Sequence, residues 1–378
     1  EQVEIFCHGG RQTARLILDE LITSGARVAE PGEFTRLGFL SGRMDLTKAE
    51  AVADIIAAST TVSHNVAREQ LLGKYAEHVS MLRSRLVDIL VEVEVSIDYP
   101  EEEITPENKR SLLQSISDCI ELLERLVDTY RSGRIIREGF KVAIGGRPNA
   151  GKSSLFNLLL KQERALVTAT PGTTRDYISE WIDLNGVAVN IIDTAGLRQT
   201  RSRVEKVGQD AARKIFSGCD LLIWIVDLSR KGWRRTLKED LKQLENFPIW
   251  LVGNKIDLLN KGPAENEKHY FDDQSLTPVS CLTSRGMKRF RQLLDQTVNQ
   301  ALPDLTSGVV VTSARHRQKL IVALRYVKKT RKKVRIGDFP ELIVFELKQA
   351  LNEIDEITGK IYNEEILDRI FSKFCIGK

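Results

Sequence analysis

Residues 146–153 read Gly-Arg-Pro-Asn-Ala-Gly-Lys-Ser, which fills every fixed position of G-x-x-x-x-G-K-[ST]. The stretch follows the apolar, β-branched run Lys141–Ile144 and precedes residues with helical spacing, the strand–loop–helix context that gives the motif its meaning. Glycines let successive backbone N–H groups curl around phosphate oxygens, and the helix N-terminus adds positive potential. Lys152 then reaches the β- and γ-phosphates and the Ser153 hydroxyl is placed to bind Mg²⁺. The nucleotide-contacting set predicted here is Asn149, Ala150, Gly151, Lys152, Ser153 and Ser154. A chain with this loop at the end of a strand is committed to a sheet with helices on its faces.

The surrounding pattern agrees. From Phe140 onward, β-branched runs at Lys141–Ile144, Tyr177–Leu184, Val187–Ile192, Leu221–Val226, Ile249–Val252 and Thr277–Ser280 alternate with helical segments. Asn185-Gly186 between the second and third runs predicts a hairpin turn. The remainder reads as strand–helix units, hence a doubly wound, mostly parallel sheet. On either side of it the spacing is helical. Leu112/Leu113, Ile116, Ile120, Leu123, Leu126/Val127 and Tyr130 recur every three or four residues, and Pro100 and Pro106 with Glu101–Glu103 between them divide residues 44–137 into two long helices. The expected organisation is therefore an α/β domain at 138–300 inserted into a helical domain formed by 44–137 and 301–378, with residues 1–43 belonging to a separate N-terminal unit.

The 378 residues carry 56 Lys plus Arg against 52 Asp plus Glu, and 42% are hydrophobic, a balance that excludes disorder and fibrous repeats. The longest apolar run, Leu221–Val226, is far shorter than the roughly 20 residues of a membrane helix. The five cysteines, Cys7, Cys119, Cys219, Cys281 and Cys375, form no C-x-x-C pair and lie at no metal-ligand spacing from the five histidines, which fits a reducing, cytoplasmic setting without zinc. The chain opens Glu-Gln-Val-Glu-Ile, as though entered mid-strand, and a missing N-terminal piece is expected.

Two further boxes fall at predicted strand ends. Asp193-Thr194-Ala195-Gly196 ends the third run, so Asp193 can hold the magnesium shell and the Gly196 N–H can meet the γ-phosphate. Asn254-Lys255-Ile256-Asp257 follows the fifth; an aspartate there accepts from the guanine ring N–H and exocyclic amine, a donor pair that adenine lacks. Ser280-Cys281-Leu282 follows the sixth and covers the base. Together the boxes select GTP and GDP over ATP. Leu197 occupies the position where Ras-like proteins carry a water-orienting glutamine. A substitute is therefore needed, and Glu205 is the acidic candidate, its alternative being an ordinary solvated helix residue. A bound cation, with Asn149 as a ligand, is a candidate for the missing positive charge.

Gly146–Ser153, Pro171-Gly-Thr-Thr-Arg-Asp176, Val204-Glu205-x-x-Gly208 and Cys375-Ile-Gly-Lys378 resemble the MnmE (TrmE) tRNA-modifying GTPases, with the C-x-G-K ending the most specific mark. Era- and EngA-type GTPases share the nucleotide boxes but not that tail. The resemblance implies a Ras-like P-loop G domain and a GTP hydrolase acting in tRNA wobble-uridine C5 modification, dependent on K⁺ and activated when two G domains meet in a homodimer. It implies K⁺ ligands Asn149, Thr168, Thr170 and Thr173, Mg²⁺ ligands Ser153 and Thr174, nucleotide contacts from Thr168, Thr173 and Thr174, and Glu205 orienting the water. It also implies an FAD-dependent MnmG partner in a heterotetramer, with no FAD in this chain, and tRNA as substrate.

The resemblance further implies that residues 1–43 are the remainder of an N-terminal α+β folate-binding and dimerisation domain, with a tetrahydrofolate derivative (5,10-methylene or 5-formyl) held by Glu4 ahead of His8-Gly9-Gly10, by Arg43 after Pro31-Gly-Glu-Phe34, and by the terminal Lys378. His8 itself reads as a structural residue. Cys375 reads either as a buried helix-end residue or, within the resemblance, as a participant in the modification chemistry. The basic run Arg325–Arg335 falls around a helix and reads equally as an RNA-phosphate contact or as a solvated helix end. A regulatory switch in ribosome assembly is the competing function; such a protein has no use for the C-x-G-K tail.

Overall fold

The computed structural model describes residues 3–98, 106–162, 164–166, 178–194, 214–245, 247–259, 276–302, 309–374 and 377. Helices α1 (Arg11–Thr23), α2 (Glu33–Leu40), α3 (Leu46–Ala57), α4 (Thr61–Leu71), α5 (Lys74–Asp98), α6 (Pro106–Asp128) and α7 (Tyr130–Glu138) lead to β1 (Phe140–Gly146) and α8 (Lys152–Gln162). Then come β2 (Arg164–Ala165), β3 (Ile178–Leu184), β4 (Val187–Asp193), β5 (Leu221–Asp227), α9 (Trp233–Leu244), β6 (Ile249–Asn254), β7 (Thr277–Pro278) and α10 (Met287–Gln300). Helices α11 (Ala314–Ile336), α12 (Pro340–Thr358) and α13 (Glu364–Phe371) complete the order.

The seven strands form one sheet in the order β2-β3-β4-β1-β5-β6-β7. The β3–β4 and β2–β3 pairs are antiparallel and the rest parallel. Strand β1 lies between β4 and β5, so its carboxyl end opens at the point where the winding reverses, where ligands of such sheets bind. The central strands are buried on both faces, with Val142, Ile144, Val189, Ile191, Ile223 and Ile225 packed beneath α8 and α10. Leu237 and Leu244 of α9 cover the other face. At the β3–β4 turn Asn185 and Gly186 both take positive φ, 55° and 86°, as the tight hairpin requires.

One strand expectation is corrected and one strand was not foreseen. The Thr277–Ser280 run is strand only at Thr277–Pro278: the Val279 N–H still reaches the Gly253 carbonyl of β6 (2.7 Å), but the Ser280 N–H turns to the Arg285 carbonyl (2.8 Å) and its hydroxyl to Asp257. The two-residue β2 leaves no periodicity long enough to read. The expectation of two long helices over 44–137 is corrected as well: five helices, α3 to α7, occupy it, because short turns at residues 58–60, 72–73 and 129 break the helical spacing. Even so, α5 does end at Asp98 and α6 does begin at Pro106, whose fixed φ and missing N–H suit a first turn. Pro100 and Glu101–Glu103 lie outside the described residues.

Helices α5, α6, α11 and α12 share one core, in which Leu82, Leu86, Ile116, Leu123, Leu320, Val327, Leu347 and Ile354 are buried. The sheet is joined to this bundle by α7 on entry and by residues 309–313 on exit, and the two connections touch. A Cβ on Gly133 would stand 2.2 Å from the Val311 carbonyl oxygen, so only glycine admits the crossing. Gln70 of α4 clamps the exit segment, donating to the Val310 carbonyl (3.2 Å) and the Thr312 hydroxyl (3.1 Å). On α7, Arg137 pairs with Asp54 of α3 (2.8 Å), while Arg134 pairs with Asp220, whose other oxygen accepts the Lys141 N–H (2.9 Å).

Helix α3 is pinned to α11 by a buried carboxylate. Glu50 accepts from Arg315 (3.0 Å) and from His316 Nε2 (2.6 Å), and the His316 ring stacks on Tyr75 at 5.0 Å. Burial alone would raise the Glu50 pKa, but the adjacent His316 and Arg315 outweigh it and hold the carboxyl well below the usual range. Burial, aided by the Arg315 charge, pushes the His316 imidazole down against the pull of Glu50.

Candidate nucleotide site

At the carboxyl end of β1 the chain turns through Gly146 (φ 144°), Asn149 (φ 64°) and Gly151 (φ 107°) into α8. Positive φ at these three positions bends the backbone into a tight concavity of the kind that binds anions. The close packing explains the glycines: a Cβ on Gly146 would meet the Ile225 carbonyl oxygen at 2.5 Å, and one on Gly151 would meet Asn254 Nδ2 at 2.0 Å. Lys152 Nζ donates to the Arg147 carbonyl (3.1 Å), which lays its charge across the loop mouth.

Beside the loop, Ser153 Oγ donates to Asp193 Oδ2 at 2.9 Å, and Asp193 is 2% exposed. A hydroxyl and a buried carboxylate together are a hard oxygen donor set, the kind Mg²⁺ takes when phosphates and waters complete its octahedron. Thr194, next in the box, instead donates its hydroxyl to the Ile144 carbonyl (2.8 Å) and fastens β4's end to β1. No group of three or more His, Cys, Asp or Glu side chains able to hold a metal occurs among the described residues.

The second and third boxes meet around Asn254. Its Nδ2 donates to the Ala150 carbonyl (2.9 Å) and its Oδ1 accepts the Cys281 N–H (3.0 Å), so one buried side chain ties the phosphate loop to the loop after β7. Lys255, with φ 69°, donates to Asp227 Oδ2 at 2.7 Å. Burial works against the Asp227 charge, but Lys255 and Ser229 hold its carboxyl below the usual range. Ser280 donates to Asp257 Oδ1 at 2.5 Å and accepts the Thr283 N–H at 3.1 Å, which fixes the carboxylate's orientation. The resulting cleft, 720 Å³, runs from Asn149, Lys152 and Ser153 to Asp257, with exposed Leu282 at the far rim. Cys281 lines it as well; burial, reinforced by the Asp257 charge, pushes its thiol up to about 11, so it stays neutral at pH 7.

The structure thus brings together Asn149, Ala150, Gly151, Lys152, Ser153, Ser154, Asp193, Thr194, Asn254, Lys255, Asp257, Ser280 and Cys281. Thr168, Thr170, Thr173, Thr174, Ala195, Gly196, Glu205, Cys375 and Lys378 lie outside the described residues. Of the residues assigned to K⁺, Asn149 alone is described. Glu4 and Arg43 are both exposed, and no hydrogen bond or ion pair links them among the described residues.

One set of residues escaped the sequence reading. Arg147, inside the phosphate loop, grips Asp240 of α9 through Nε (3.0 Å) and Nη2 (2.8 Å), and Trp224 Nε1 donates to the same carboxylate (3.3 Å). This strut props the loop from behind, on the side away from the cleft. Arg147 sits at a variable position of the motif and Asp240 is far along the chain, so spacing gives no sign of it.

A phosphate cradle that opens directly onto a carboxylate able to read guanine belongs to one class, the P-loop GTPases. Comparison with known proteins narrows the class. The family model described as the MnmE helical domain matches residues 46–375, and that of the GTP-binding protein TrmE N-terminus matches residues 1–43. Proteins named tRNA modification GTPase MnmE from Thermoanaerobacter sp. (strain X514) and Aquifex aeolicus (strain VF5) are each 37% identical across all of this chain, which spans 82% and 83% of their lengths. The protein of that name from Carboxydothermus hydrogenoformans is 38% identical over the whole chain and 82% of its own length. The chain belongs to the MnmE family of tRNA modification GTPases.

Proposed function

We propose that this chain hydrolyses GTP to drive modification of tRNA at carbon 5 of the wobble uridine, acting as a homodimer together with an FAD-dependent MnmG partner in the cytoplasm. The observation that carries the reading is the single cleft joining Lys152 and Ser153 to Asp257, because a phosphate site continuous with a guanine-reading carboxylate serves GTP and not ATP. In it the loop N–H groups and Lys152 bind the β- and γ-phosphates and stabilise the charge that spreads over the transferring group. Asp257, oriented by Ser280, accepts from the guanine edge, and Lys255 is held in place by Asp227.

Ser153 and Thr174, with Asp193 holding the surrounding shell, would bind Mg²⁺, and Asn149, Thr168, Thr170 and Thr173 would bind K⁺, two ions that would supply positive charge beside the phosphates. With Leu197 unable to hydrogen-bond, Glu205 orients the attacking water and accepts its proton. We place the G domain at 138–300, the helical domain at 44–137 and 301–378, and the N-terminal unit at 1–43, with a tetrahydrofolate derivative bound by Glu4, Arg43 and Lys378. The fit of the two 37%-identical relatives over the whole chain supports this transfer.

The test has two arms. Asp257→Asn should exchange preference from guanine to xanthine nucleotides, whose ring edge offers an acceptor; undiminished GTP affinity would remove Asp257 from the role. Nucleoside analysis of tRNA from cells lacking the protein should show wobble uridines without the C5 substituent. Unchanged wobble uridines would end the tRNA reading.

A further inference from the structure

Helix α11 carries ten lysines and arginines in 23 residues and not one carboxylate. The structure sorts them. Arg315, Lys319, Lys329 and Lys333 turn to acids on neighbouring elements: Glu50, the Glu353/Glu356 pair, Glu346, and Asp338. Leu320, Ala323, Val327, Thr330 and Val334 face the bundle core. On the opposite side Arg325, Lys328, Lys332 and Arg335 are all exposed and, at 3.6 residues per turn, fall within about 80° of one another. The expectation that the basic run has no preferred side is therefore corrected for these four.

The four cations form a stripe about 15 Å long, from the rise of 1.5 Å per residue. Among the described residues Arg325, Lys332 and Arg335 make no ion pair. Lys328 pairs with Glu124 at 2.6 Å, but both are about half exposed, and such a pair is worth little in water. At the end of the stripe Lys109 Nζ stands 4.0 Å from the Cβ position of Gly337, and Phe339 follows, 72% exposed. A rigid row of four cations, three of them without an ion pair among the described residues, that ends in an open aromatic face suits a nucleic acid backbone with an unpaired base nearby.

We propose that this face of α11 holds the sugar–phosphate backbone of RNA, with Phe339 as a stacking surface for an unpaired base; it rests on the tRNA reading above and assigns it a surface. RNA is favoured over an anionic membrane by the geometry of the helix. A helix lying on a lipid surface buries an apolar face along its whole length, whereas the apolar face of α11 is spent on the bundle core.

The test uses the full chain and an unmodified tRNA transcript, with binding followed by anisotropy across a salt series. Each phosphate contact contributes about 0.7–0.9 to the slope of log affinity against log salt. Arg325→Ala/Lys332→Ala/Arg335→Ala should therefore flatten the slope by about 2 and weaken binding about 10- to 10³-fold at low salt, with GTP hydrolysis unchanged. Phe339→Ala should weaken binding with the slope kept. The control Lys238→Ala/Lys242→Ala, on exposed α9 positions, should change neither. An unchanged slope in the triple variant overturns the surface alone. A parent chain that fails to bind tRNA overturns both the surface and the substrate reading. Retained tRNA affinity with lost binding to phosphatidylserine vesicles gives the face to a membrane instead.

Discussion

Replacing Gly151 with alanine tests the architecture of the nucleotide cleft at its narrowest point. The new methyl group would lie 2.0 Å from Asn254 Nδ2, in a backbone conformation (φ 107°) that alanine resists. Asn254 is 3% exposed and cannot step aside without releasing both the Ala150 carbonyl and the Cys281 N–H. Backbone strain costs about 1–3 kcal/mol, and each buried polar group left unmet costs about 1–3 kcal/mol. The free protein escapes by abandoning the clamp, so nucleotide binding must restore it. A penalty of about 3–9 kcal/mol corresponds to a loss of about 10²- to 10⁶-fold in GDP affinity. Fluorescent-nucleotide titration measures it, and circular dichroism shows whether the chain is folded. Gly218→Ala, where no atom lies within 4 Å of the Cβ position, should bind like the parent. A folded Gly151→Ala protein with GDP affinity within threefold of the parent would refute the clamp.

Arg147→Ala removes the strut behind the phosphate loop and should raise the Kd for GDP about fivefold, the worth of about 1 kcal/mol for a half-exposed pair; Arg147→Lys should recover part of it, and equal affinity in all three proteins would show the strut to be idle. Glu205→Ala should lower kcat about 10²- to 10⁴-fold with nucleotide affinity kept, as expected for a group acting on the water; normal turnover would move the role elsewhere. Replacing K⁺ by Na⁺ should slow hydrolysis in the parent but not in Asn149→Ala, and equal rates in both salts for the parent would exclude the cation. Acid should loosen the helical core in two steps. His316 and Glu50 both bind protons less readily folded than unfolded, so their stabilisation is complete above about pH 6.5 and is lost as pH falls, His316 first and Glu50 below its unfolded value near 4.5. Urea midpoints measured from pH 8 to 4 follow this, and a midpoint flat from pH 7 to 5 would contradict the His316 part.

The elements legible in the sequence are those whose signal is local. The phosphate loop, the Asn185-Gly186 hairpin and the apolar stripe of α6 each declare themselves within a dozen residues, through glycine, turn chemistry or period. The boxes at Asp193 and Asn254 could be placed because each follows a strand. What stayed hidden depends on partners far along the chain. Nothing near Arg147 announces Asp240, and nothing in Gly133 announces Val311. Arg325, Lys332 and Arg335 look like Lys329 and Lys333 until Glu346 and Asp338 are seen to neutralise the latter. β7 stops early for a similar reason, since Ser280 is drawn off by Asp257 and Arg285.

The bundle core has a consequence for how the chain is made. The apolar stripes of α5 and α6 are complete once Asp128 has been synthesised, but their partners Leu320, Val327, Leu347 and Ile354 lie beyond the entire sheet domain. About 190 residues separate Asp128 from Ala314. At about 5–20 residues per second, ribosomes leave those stripes unpartnered for about 10–40 s. During that interval a two-helix hairpin with an open apolar side waits at the ribosome. Substitutions that weaken the α5–α6 contact should therefore reduce yield of the newly made protein far more than they reduce the stability of the finished one, and slower translation of residues 140–300 should aggravate the loss without altering any residue.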